Sequence, residues 1–180
     1  MSNITLQLVQ TITVGAGGAA SIEFTGIPQT GTDLLVVFSL RSSATLQRDA
    51  YVYINSLSSG YSDRWLYGDG TSASSSSNGA GGAFWFLSDV MPAAGVTAST
   101  FGNGSLYFPN YTSSTAKSAS CDVVEENNAT ASGQLIWSGS NSTTSAITSV
   151  KLQASSGNLV QYSSASLYLV TKGSGGASVS

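Results

Sequence analysis

The residues able to do chemistry are few and scattered. The acids are Glu23, Asp33, Asp49, Asp63, Asp69, Asp89, Asp122, Glu125 and Glu126. A glycosidase needs two carboxyls about 5–10 Å apart across a sugar ring, and Asp63 with Asp69, close to aromatic residues, is the pair nearest to that requirement. The plainer reading of Asp69-Gly70 is a turn dipeptide. Asp33 follows Gly31-Thr32 and could offer a carboxylate to a hard cation beside loop carbonyls. No D-x-D-x-D-G spacing accompanies it, so a side chain bonding nearby backbone N–H groups is the simpler expectation. Neither a metal nor a cofactor is expected. The chain has no histidine and a single cysteine, Cys121. A hydrolytic triad therefore lacks its usual base, and zinc its commonest ligand. Cys121 has no internal partner for a disulfide and is expected to be buried and inert.

The aromatic residues are more suggestive. Trp65, Tyr67, Phe84, Trp85 and Phe86 could stack on the apolar face of a pyranose. On a strand, Phe84 and Phe86 point one way and Trp85 the other, so one set must enter the core. Trp65, Tyr67, Asp69 and Trp85 are the candidate contacts for a partner or glycan. N-x-[ST] sequons at Asn3, Asn103, Asn110, Asn128 and Asn141 arise by chance in a chain this rich in Ser and Thr.

These residues must be positioned by strands. Of 180 residues, 41% are hydrophobic but only 8% are charged, against an average near 25%. Serine is the commonest residue, and the 20 glycines far outnumber the 3 prolines. From Ile4 to Val14 apolar residues fall on even positions, with Val9 the exception, which reads as a half-buried strand. Leu34 to Leu40 is almost continuously apolar and reads as a central strand buried on both faces. Further strands are expected at 21–25, 51–54 and 83–87, within 97–108 with its end at 105–108, and at 116–125, 131–138, 147–153 and 164–170. The block 61–70 is either a strand or one helical turn. Thr71 to Gly82, with serines at 74–77, is expected to be an exposed loop. Glu126 to Asn128 is expected to be a turn.

No helix of usable length and no fixed-period repeat is visible. The expected fold is all-β: an antiparallel, jelly-roll-like sandwich of about nine or ten strands. One domain spans 1–172, and 173–180 is a flexible Gly/Ser tail. A net charge of −3 with 6 Lys+Arg offers no footprint for nucleic acid or anionic lipid. No apolar run approaches a membrane span, and no secretory signal is visible. A neutral Ser/Thr/Gly exterior with few lysines to guard strand edges suits a protein held in an assembly with identical neighbours.

Several segments, in order, resemble a pattern in tailed-bacteriophage virion proteins. They are Ser21-Ile22-Glu23-Phe24-Thr25-Gly26-Ile27-Pro28-Gln29-Thr30 with Thr32-Asp33-Leu34-Leu35-Val36, then Tyr51-Val52-Tyr53-Ile54-Asn55. The block Tyr61 to Gly70 with Leu66-Tyr67-Gly68-Asp69-Gly70 follows, then a Ser/Gly loop, and finally Gln161-Tyr162-Ser163-Ser164-Ala165-Ser166-Leu167-Tyr168. The resemblance covers residues from about 20 to 172, and its order carries more weight than its short pieces. It implies a non-enzymatic structural protein of the virus surface, either a head decoration (cement) protein or a module of a tail fibre. The chain looks like a stand-alone module without a fibre shaft, which favours decoration. The expectation is a homotrimer on the outer capsid surface, bound to the major capsid protein. The N-terminal strand from Asn3, the Trp65–Tyr67 block and the tail after Lys172 are the candidate contacts. The alternative is a glycan-binding adhesin module on a tail; a depolymerase fits less well, lacking histidine.

Overall fold

The computed structural model describes residues 6–46, 49–125 and 133–171. Asn3, the turn at 126–128 and the tail from Lys172 onward lie outside them. Among the described residues there is no helix. Twelve strands are present: β1 Leu6–Thr13, β2 Ser21–Phe24, β3 Asp33–Leu40, β4 Ala50–Ile54, β5 Tyr61–Gly68, β6 Ala73–Gly82, β7 Trp85–Leu87, β8 Gly102–Phe108, β9 Lys117–Glu125, β10 Gln134–Asn141, β11 Val150–Ala154 and β12 Ser164–Val170. They form an eight-stranded sheet in the order β1-β12-β3-β8-β9-β10-β5-β6 and a four-stranded sheet in the order β2-β11-β4-β7. All pairings are antiparallel.

The strand orders explain the architecture. β1-β12-β3-β8 and β2-β11-β4-β7 are the two four-stranded halves of a jelly roll, built by a double Greek key. The other four strands are two insertions. β5 and β6 leave the chain between β4 and β7, and β9 and β10 between β8 and β11. Both insertions join the same sheet beyond β8, doubling its width.

Two-residue alternation places the core. Val36, Leu106 and Leu167 of the larger sheet and Ile22, Val52 and Leu152 of the smaller one belong to a single buried cluster. In β9 the odd residues Ala119, Cys121 and Val123 point inward, and the even residues are exposed. The Val9 anomaly is a β-bulge: pairing with β12 shifts register between Leu8 and Gln10. Before it Leu6 and Leu8 oppose the half-buried Val170 and Tyr168; after it Ile12 opposes the buried Ala165. A single inserted residue thus turns the strand over.

Two expectations are corrected. Leu34 to Leu40 is central but not buried on both faces. Leu35 is half-buried and Val37 is 44% exposed on the outer side. The 71–82 segment is not a loop, since β6 pairs with β5 from Gly68↔Ala73 to Tyr61↔Gly82. A ready template edge organises residues with little strand propensity of their own. With β6 the count rises above nine or ten.

The inserted strands overhang the smaller sheet, so their inner side needs other cover. Trp85 supplies it. Its ring meets Trp137 edge-on at 5.7 Å and Tyr61 at 5.2 Å, and its indole N–H donates to the Ser140 carbonyl at 2.9 Å. Gly139 makes room: a Cβ there would come within 2.6 Å of the Trp85 Nε1. The loop holding Val90, Met91 and Ala93 also packs inward. It continues into a segment anchored by the buried Arg41, whose guanidinium donates to the carbonyls of Val96, Thr97 and Thr100. Trp85→Ala is expected to cost about 3–5 kcal/mol, and Gly139→Ala about 1–3 kcal/mol by overpacking. Denaturant midpoints relative to wild type check both.

Candidate interaction surface

The exposed side of the eight-stranded sheet is the wider of the two outer sheet faces among the described residues. Cross-strand pairing lays its residues in rows. One row runs Leu8, Tyr168, Leu35, Tyr107, Ser120, Ser138, Arg64, Ser77. The next runs Thr11, Ser166, Val37, Ser105, Asp122, Ile136, Leu66, Ser75. A third runs Thr13, Ser164, Ser39, Asn103, Val124, Gln134, Gly68, Ala73. Only Arg64 and Asp122 carry charge in these rows. Apolar residues gather at both ends, with Leu8, Tyr168, Leu35 and Val37 near β1 and Val124, Ile136 and Leu66 on the inserted strands.

Hydroxyl pairs tie the rows together. Thr11 bonds Ser166 at 2.8 Å, Ser62 bonds Ser140 at 2.9 Å, and Ser105 donates to the Asp122 carboxylate at 2.6 Å. Two shallow depressions, about 450 and 670 Å³, flank the Leu66–Ile136 ridge. Their margins combine small residues of β5 and β6, including Gly68, Ala73, Ser75 and Ser77, with Gln134 at one depression and Arg64 at the other. Neither β1 nor β6 has a charged residue, so both open edges of this sheet present unguarded backbone.

The sequence candidates separate in space. Trp65 and Tyr67 lie on the inner side of β5, half-buried against the core, and Trp65 leans on Phe86 at 5.6 Å. Leu66, between them, faces out and is 58% exposed. Trp85 is fully buried, so it is a core residue and no surface contact. Asp69 closes the β5–β6 hairpin. Its carboxylate accepts from the backbone N–H and hydroxyl of both Thr71 and Ser72, at 2.7–3.1 Å. The plainer turn reading of Asp69-Gly70 therefore holds. The four donors hold the Asp69 carboxyl well below the usual carboxylate range, with the Ser72 N–H the largest influence.

The other acids are structural in their geometry. Asp63 is buried and accepts the Phe86 N–H at 2.7 Å and the Asn78 amide at 3.0 Å, tying β5 to β7 and β6. Burial raises its pKa, against the opposing pull of those donors. Asp33 accepts the Tyr107 hydroxyl at 2.5 Å and the Asn110 N–H at 2.8 Å, the side-chain-to-backbone role expected of it. Tyr107 is pushed up to about 12 by desolvation and by that bond. Burial pushes the Cys121 thiol up, so the inert reading of this cysteine stands. Among the described residues no three His, Cys, Asp or Glu side chains group as a metal site.

A second surface feature lies at the edge of the smaller sheet. Tyr51 and Phe84 stack at 3.8 Å and 21°, and Phe86 lies 6.1 Å from Tyr51. These rings, with Asn78, Gly79 and Gly82, line an open cleft of about 480 Å³. Tyr53 beside it carries the Lys151 ammonium 4.1 Å from its ring centre. Alternation in Tyr51-Val52-Tyr53 puts both tyrosines on the outer side, half-buried, a signal that the sequence carries in its period of two.

Comparison with protein-family models and with curated proteins finds no match to this chain. Asp69→Ala is expected to speed amide exchange at Thr71 and Ser72 while leaving core amides of β9 and β12 protected. The depressed pKa sets the sign with pH. The turn is intact above the ordinary carboxylate range and loosens only as strong acid protonates Asp69. Exchange mass spectrometry across an acid series checks both.

Proposed function

We propose that this chain is a capsid decoration (cement) protein. It binds the outside of a tailed-phage head as a trimer, contacts the major capsid protein, and has no catalytic role. The observation that supports the reading most is the near absence of charge from the wide sheet face and from both of its open edges. Such a surface gives little repulsion between copies and abundant hydrogen-bonding backbone for neighbours. The ordered resemblance of residues 20–172 to tailed-phage virion proteins supports the same reading. The mechanism is linkage. A protein that binds only the assembled shell stabilises it, by about 2.7 kcal/mol per site at a hundredfold excess over Kd.

Heads stripped of this protein should release their DNA at a lower temperature, and adding the purified protein back should restore the original value. Release at an unchanged temperature contradicts the reading.

A second reading, a glycan-binding adhesin module, draws on the cleft at Tyr51, Phe84 and Phe86. Aromatic rings beside an uncharged amide and glycine backbone suit a pyranose. In that case a glycan array shows binding that Phe84→Ala reduces at least tenfold. An array without signal at high protein concentration removes this reading.

A further inference from the structure

We propose that the outer face of the eight-stranded sheet is where copies of this chain meet, each face covered by that of a neighbour. A face covered by its own counterpart is a two-fold contact, so the unit it builds is a pair. This deepens the decoration reading, rests on it only for its setting, and puts a dimer in place of the trimer. The exposed apolar side chains are concentrated here: Leu6, Leu8, Val37, Leu66, Val124 and Ile136, each 44% to 58% exposed, all lie on this one face. The outer face of the smaller sheet instead carries Glu23 and Lys151 as cross-strand neighbours.

Size and charge both point to a second copy. Eight strands at about 4.8 Å spacing and about 20 Å of strand length give a face of roughly 770 Å². A standard interface buries about 800 Å² per partner. Among the described residues the face exposes one cation and one anion, Asp33 being buried under Tyr107. Arg64 is exposed and its side chain makes no hydrogen bond or ion pair among the described residues. Asp122 is exposed two strands away. A neighbour presenting the same face can set its Asp122 against Arg64, so the surface is complementary to itself. The relief agrees, since the Leu66–Ile136 ridge of one copy stands beside two depressions, about 450 and 670 Å³, that offer room for the ridge of the other.

The test is the mass of the purified full chain by sedimentation equilibrium. Wild type is expected at twice the 18.3 kDa of the single chain. Ile136→Glu, and independently Leu66→Lys, should give the single-chain mass with an unchanged circular dichroism spectrum. Arg64→Glu should weaken association at least tenfold, and Arg64→Glu combined with Asp122→Arg should recover it. Gln153→Glu, on the smaller sheet, should leave the mass unchanged. A wild-type monomer or trimer, or an assembly that survives both Ile136→Glu and Leu66→Lys, overturns the proposal. A monomer whose binding to stripped heads is abolished by Ile136→Glu assigns the face to the shell protein, which overturns the proposal and keeps the decoration reading. An assembly broken by these variants, from a protein that does not bind heads, keeps the proposal and removes the decoration reading.

Discussion

A sheet of eight strands cannot be covered by a sheet of four, and most of what is particular to this molecule follows from that mismatch. The jelly roll proper is balanced, four strands against four. The inserted strands β9, β10 and β5 continue one sheet past the edge of the other, and their inner side must still be removed from water. Trp85 at the end of the smaller sheet reaches under the overhang to Trp137 and Tyr61. Asp63 fixes the corner by accepting the Phe86 N–H. A large aromatic group is well suited to this place, because it buries 150–250 Å² from a single backbone position where no third layer of strands exists.

The same widening exposes an outer face for which the chain has almost no charge to spend. Soluble sheets ordinarily protect a broad exposed face and its edges with lysine or glutamate. Here serine and threonine are the commonest outward residues, and some of their hydroxyls bond one another across strands, as Thr11 does with Ser166 and Ser62 with Ser140. Such pairs keep the sheet regular without making it repel a neighbour. The few strong electrostatic contacts are turned inward instead. Arg41 and Lys117 are buried and satisfied by backbone carbonyls of nearby loops. They serve the fold and leave the surface neutral.

Much of the fold was legible because alternation with a period of two is a direct consequence of strand geometry. Even the lapse at Val9 was informative, as it marks the bulge. Three things were not legible. The serine-rich run at 73–82 has no intrinsic pattern, and its strand exists because β5 offers an edge to pair with. The face of each aromatic residue depends on which parity faces the core. Trp65 and Tyr67 share the inner parity with Asp63, leaving Leu66 outside. The outward patch itself had a signal that went unused. In Trp65-Leu66-Tyr67 and Leu135-Ile136-Trp137, three successive apolar residues on a strand force the middle one to the solvent side. That Leu66 and Ile136 then meet across strands is a matter of register, which only the folded chain provides.

The proposed setting for this molecule, with its open edges and its wide face almost free of charge, is the surface of a phage head. The most direct test is to count and locate this protein in purified virions, by quantitative mass spectrometry together with antibody labelling in the electron microscope. The account predicts hundreds of copies distributed over the head. A few copies confined to the tail, or none in the particle, would contradict it.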